Sequence, residues 1–186
     1  MTELFSGLPS LHYKPLPAVM TIIPLEIRYA EQICSWSYES PYRLYEWPSW
    51  HQMKQDGIEF GDPVLRQQQY RAIVNNDQEL IGFAQLFPMS GVTRLGMGLR
   101  PDLCSRGLGA VVAALVSQEA LRLRPDCTVD LEVLIWNFRA IRAYEKAGFR
   151  IDDTYIRPTP RGAASFHCMV FRASFLIRVW RLYVSK

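Results

Sequence analysis

The chain is poor in the residues that build metal and disulfide sites. Its four cysteines, Cys34, Cys104, Cys127 and Cys168, lie far apart with no C-x-x-C pair, and its three histidines, His12, His51 and His167, are isolated. This pattern argues against a zinc or disulfide framework and predicts free thiols in a reducing, cytoplasmic setting, with no metal site. No Lys/Arg run occurs and the formal net charge is only +3, so nucleic acid is not an expected partner. No apolar stretch is long enough to span a bilayer. The start lacks a basic segment followed by an apolar run, so no signal peptide is expected. Internal repeats and low-complexity tracts are missing too. What remains, 186 residues with 49% hydrophobic and 21% charged, reads as one globular domain with a sizeable core.

The most informative stretch is Leu95 to Gly109, LGMGLRPDLCSRGLG. Leu95, Met97 and Leu99 alternate with Gly96 and Gly98, the period of a strand in which something approaches the backbone closely. Pro101 and Asp102 stop it. Arg106-Gly107-Leu108-Gly109 then opens a helix predicted over 107–123, ended by Pro125. The first N–H groups of a helix lack internal partners and carry the positive end of its dipole, so this junction suits a phosphate group. No Lys-Ser/Thr follows the glycines, which disfavours a nucleotide-binding P-loop. Residues 129–135 read as a strand with Val129, Leu131, Val133 and Ile135 on one face and Asp130, Glu132 and Leu134 on the other. Asn137 is a helix N-cap and Gly148 a helix stop. Asn137, Ala140, Ile141 and Tyr144 share a helical face, a spacing that also allows Tyr144 to be a core residue.

LGMGLRPDLCSRGLG followed by LEVLIWNFRAIRAYEKAGF resembles the GCN5-related N-acetyltransferases. The resemblance spans roughly residues 20–172 and is specific over 95–149. It implies an α/β (α+β) fold: a mixed, mostly antiparallel sheet of six to seven strands, flanked by helices and splayed at the central strands. It implies acetyl-CoA as co-substrate, with an amine of a small molecule or protein as acceptor. The family's phosphate loop, Arg/Gln-x-x-Gly-x-Gly/Ala, falls on Cys104, Ser105, Arg106, Gly107, Leu108 and Gly109, with Ala110 next in the helix. Cys104 departs from the usual Arg or Gln, which removes a side-chain contact but no backbone amide. By the same resemblance Met97, Gly98 and Leu99 pair with the pantetheine arm, a main-chain N–H near Leu99 serves the oxyanion, Asn137 borders the cofactor and Tyr144 protonates the thiolate. The central strand lacks the carboxylate that many relatives carry, so Glu132 becomes the candidate base, with a surface glutamate or a water chain as alternatives. The Cys104 departure and that missing carboxylate also leave room for a silent acyl-CoA-binding module.

Elsewhere the signals are looser. Residues 1–19 hold three prolines and read as a loose arm. Met20–Leu25 is a first strand candidate and Glu26–Tyr38 a helix. Between Trp36 and Trp50 stand three tryptophans and three tyrosines, readable as a satellite core or, as the family resemblance implies, as one wall of the acceptor pocket, with Tyr42 and Tyr45 offering hydroxyls. Residues 51–63 fit a loop or short helix. Strands are expected at 69–74, 80–87, 92–99, 149–157 and 166–171, with turns at 88–91 and 158–162. The apolar tail 173–186 is expected to pack on the 20–172 domain or on a second subunit of a homodimer, rather than to lie on a membrane surface.

Overall fold

A computed structural model describes residues 19–160 and 162–172. The expected N-terminal arm, apart from Val19, and the C-terminal tail fall outside the described residues. Seven strands form one open sheet in the order β1-β2-β3-β4-β5-β7-β6. They are β1 Thr21–Pro24, β2 Tyr70–Val74, β3 Leu80–Met89, β4 Val92–Leu99, β5 Thr128–Leu134, β6 Phe149–Thr159 and β7 Gly162–Phe171. Every neighbouring pair is antiparallel except β4 and β5, which run parallel. A parallel pair needs a long crossover, and helix α4, Leu108–Leu123, supplies it.

Four further helices flank the sheet: α1 Ile27–Cys34, α2 Trp50–Asp56, α3 Pro63–Gln69 and α5 Phe138–Ala147. Local chemistry sets their ends. Ser49 caps α2 by accepting from the Gln52 N–H, and Gly57 ends it in the left-handed region at φ 59°. Asp62 accepts from the Val64 and Leu65 N–H groups, and Pro63 follows as the first helical residue of α3. Residues 51–63, left between loop and short helix by their glycines and proline, therefore hold most of one helix and the start of another. The first helix is shorter than 26–38: Ser35 closes it with its hydroxyl on the Gln32 carbonyl. Residues 88, 89, 158 and 159 belong to strands, so both hairpin turns are tighter than their prolines suggest.

Two cores lie on opposite faces of the sheet. One packs α4 and α5 against Leu95, Val129, Leu131, Val133, Phe149 and Met169. The other packs α1, α2 and the region before α3 against β2 and β3, centred on Phe60, which is fully buried. Burying one such ring is worth about 1.5–3 kcal/mol. Trp47 lies edge-on to Phe60 at 5.0 Å between centroids, Tyr70 does so at 5.4 Å, and Trp50 stacks on it at 6.4 Å. In α4 the buried stripe is Leu108, Val112, Ala113, Val116, Ser117 and Ala120, while Val111 faces outward. Ile135 lies beyond the end of β5 and is exposed, which removes it from the strand's buried face.

Candidate active site

The register of β4 builds the site. Its pairing with β5 ends at Leu95↔Leu131, although β4 continues to Leu99. Beyond that point a gap separates the two strands. Along the other edge of β4 the antiparallel register runs Gly82↔Leu99 to Met89↔Val92, and the Arg100 N–H donates to the Ile81 carbonyl at 2.9 Å. Antiparallel residues alternate between bonded and non-bonded pairs, so Gly98 turns its main chain to β3 while Met97 and Leu99 turn theirs to the gap. Of the three residues expected to pair with a pantetheine arm, Met97 and Leu99 face the gap and Gly98 does not. Gly98 is small for a different reason. A Cβ there would lie 2.5 Å from the Phe83 ring, so the glycine admits an aromatic side chain of the second core.

From Leu99 the chain turns through Pro101–Leu103 into the glycine loop. Arg100 clasps Asp102 at 2.7 and 3.1 Å and also donates to the Leu80 carbonyl, which fixes this turn. The guanidinium holds the Asp102 carboxyl below its usual range. Cys104 turns its sulfur inward, 3.7 Å from the Arg100 carbonyl, and burial pushes its thiol pKa up. Its N–H is engaged as well, donating to the Pro101 carbonyl at 3.1 Å. Ser105 and Gly107 adopt left-handed conformations, φ 60° and 85°, and are exposed. A Cβ on Gly107 would meet nothing within 4 Å, so the start of α4 is open at this position. Gly109 is different: its Cβ would lie 3.1 Å from that of Ala143, so it serves the close packing of α4 on α5. Leu108 is core, and Ala110 and Arg106 are half-buried.

On the far side of the gap, Asn137 caps α5 through Oδ1, which accepts from the Ala140 N–H at 3.2 Å. Its Nδ2 donates to the Tyr45 hydroxyl at 3.0 Å. Tyr144 borders the same core as Met97 and Leu99, with its ring 5.9 Å from that of Phe149. Burial, and then the neighbouring Tyr45, hold its phenol well above the usual tyrosine range. Tyr42 stacks under the Arg139 guanidinium at 3.8 Å and lies 5.8 Å from Trp136. The aromatic stretch therefore divides. Its tryptophans pack on the second core, and Tyr42 and Tyr45 reach the start of α5. Tyr38 and Arg139 join this group. The sequence pattern singles out neither, although Tyr38 shares its cluster with Tyr42 and Tyr45.

Glu132 is the first β5 residue past the last β4–β5 pair, and it projects on the face opposite α4 and α5. It is not a free surface carboxylate. Oε1 accepts from Arg94 Nη1 at 2.7 Å and from the Tyr155 hydroxyl, and Oε2 pairs with Arg157 at 3.0 Å. Arg94 also holds Asp130 through two bonds, at 2.6 and 3.1 Å. Among the described residues no three His, Cys, Asp or Glu side chains are grouped to hold a metal. No helix among them is long and apolar enough to cross a membrane.

A sheet open between β4 and β5, with a glycine loop leading from β4 into a helix, is the arrangement that the resemblance to the acetyltransferases implies. The sequence profile of the Acetyltransferase (GNAT) family matches residues 28–149, and the chain belongs to that family. Solved structures repeat the fold. Mutant forms of the spermidine/spermine N-acetyltransferase SpeG from Vibrio cholerae superpose with TM-score 0.64 at 15% identity, covering 86% of this chain and 99% of that one. SpeG in complex with manganese ions gives 0.60 at 15%, covering 82% and 91%. AAC(6')-Ib in complex with paromomycin and acetyl-CoA gives 0.60 at 22%, covering 86% and 96%. A search of curated protein sequences gives no match.

Proposed function

We propose that the protein transfers the acetyl group of acetyl-CoA directly to a primary amine, with donor and acceptor bound together. The observation that carries this reading is that the gap-facing main chain of Met97 and Leu99 leads through the turn at Pro101–Leu103 to an open Gly107 at the start of α4. Acetyl-CoA supplies the activated thioester. The main-chain N–H groups of residues 105–109 and the start of α4 hold a pyrophosphate. The gap-facing main chain of Met97 holds an extended arm as a further strand would. The Leu99 N–H is the donor assigned to the thioester oxygen as charge develops there. Tyr144, kept protonated by burial, presents its O–H to the leaving sulfur.

On the opposite face Glu132 receives or orients the amine. Arg157, more exposed at 45% than Glu132 at 16%, is the partner that gives way when an amine reaches Oε2. Relatives in fold, one named as a spermidine/spermine N-acetyltransferase and one solved with paromomycin and acetyl-CoA, support an amine as the acceptor class. The test is a panel of amines with acetyl-CoA, read by release of free thiol. Thiol should appear only with an acceptor present. Calorimetric binding of acetyl-CoA without thiol release from any amine would overturn the reading in favour of a binding module.

A further inference from the structure

The segment from Trp36 to Trp47 ties together both sides of the β4–β5 gap. At one end Trp36 and Trp47 are anchored on the second core. The Glu46 carboxylate accepts from the Tyr38 N–H at 2.8 Å and the Ser37 hydroxyl at 3.1 Å, which closes the segment into a compact loop. Toward α5 it is held by Asn137 on Tyr45 and Arg139 on Tyr42. Toward β4 the Tyr38 hydroxyl donates to the Leu99 carbonyl at 2.8 Å across 61 residues. The peptide it grips is fixed from its other side by Arg100 N–H on Ile81. Burial holds the Tyr38 phenol well above the usual range, so the hydroxyl remains a donor at any working pH.

We propose that Tyr38 is a positioning residue that, through the Leu99 carbonyl, sets the acceptor-side segment 38–45 in register with the donor edge of β4. This rests on the acetyltransferase reading. Leu99 turns its main chain to the gap, so a group fastened to its carbonyl has its position fixed relative to the donor edge. The acceptor wall is thereby built on the same peptide that ends the donor strand. Tyr42 and Tyr45 fasten that wall to the start of α5, and the Tyr38 bond adds a direct tie to β4.

The experiment is Tyr38→Phe, which keeps the ring and removes the bond. Acceptor KM should rise roughly three- to tenfold, the worth of one net hydrogen bond, with acetyl-CoA Kd unchanged within about twofold. Amide hydrogen exchange over 37–46 should quicken by a similar factor while peptides from 108–123 keep their protection. Both readouts require a melting curve close to wild type. An active Tyr38→Phe enzyme with unchanged acceptor KM and unchanged exchange overturns the proposal. So does a rise in acetyl-CoA Kd equal to the rise in acceptor KM, since the bond would then serve the donor loop. Absence of turnover in the wild type with every amine fails the acetyltransferase reading instead, and is seen before any variant is made.

Discussion

Asn137 donates from Nδ2 to the Tyr45 hydroxyl at 3.0 Å while its Oδ1 caps the helix that carries Tyr144. One buried amide thus joins a loop tyrosine to α5 across 92 residues. The cap and the tether are separable. Asn137→Ala should lose both and destabilise the fold by about 1 kcal/mol or more, lowering Tm by about 2–4 °C. Asn137→Ser keeps a capping oxygen but is too short for Tyr45. It should recover most of the Tm while acceptor KM stays raised. Equal Tm losses in both variants would show that the tether to Tyr45, and not the cap, carries the stability.

Gly107 stands at φ 85° with open space where a Cβ would be. Asn and Asp both tolerate the left-handed region and have nearly the same shape. Gly107→Asp should weaken acetyl-CoA binding far more than Gly107→Asn, because only Asp adds a charge that repels a pyrophosphate. Equal Kd values in calorimetry would place the phosphates elsewhere.

Tyr144→Phe retains the packing on Phe149 and removes the phenolic proton. Turnover should fall by about 10²–10⁴-fold with acetyl-CoA affinity and Tm nearly unchanged. Because burial raises the Tyr144 pKa, its protonated form persists past pH ~10. The wild-type rate should therefore show no tyrosine-linked decline below that pH. Normal turnover by Tyr144→Phe where chemistry limits the rate would leave Tyr144 as a core residue.

Glu132→Gln should cost most activity at low pH and progressively less as the acceptor amine loses its own proton, near pH ~8 for an α-amine. A loss of constant size across the profile would make Glu132 an ion-pair anchor and not a base. The same variant has a spectroscopic signature. The Tyr155 pKa is pushed up to about 12, first by burial and then by its bond to Glu132. Glu132→Gln should bring it down part of the way, visible as earlier phenolate absorbance in an alkaline titration. The sign for stability follows from the proton count. Unfolded Tyr155 ionises near ~10, and between there and about 12 the folded state binds the extra proton. Its contribution to stability is full below the lower value and is lost as pH rises through the higher one.

The strand, turn, glycine loop and helix of 95–123, the strand and helix carrying Glu132 and Tyr144, and the family they imply are all legible in the order of residues. Each is written in near neighbours: the two-residue alternation of Leu95, Met97 and Leu99, the N-cap Asn137, the stop Gly148. Alternation also puts Glu132 on the face away from Leu131. What those groups meet is legible only in three dimensions. Glu132 is engaged by Arg94 and Tyr155, 38 and 23 residues away. Gly98 makes room for Phe83 and Gly109 for Ala143, where glycine in a sequence records only that something comes near. The cluster from Trp36 to Trp50 splits into core tryptophans and tyrosines that reach the start of α5, and Tyr38 finds its partner at Leu99. The difference is one of range. Periodicity and capping act within a few residues of the chain, whereas strand register and the packing of loop on sheet are set when distant segments meet, and those meetings determine the partner of each polar group.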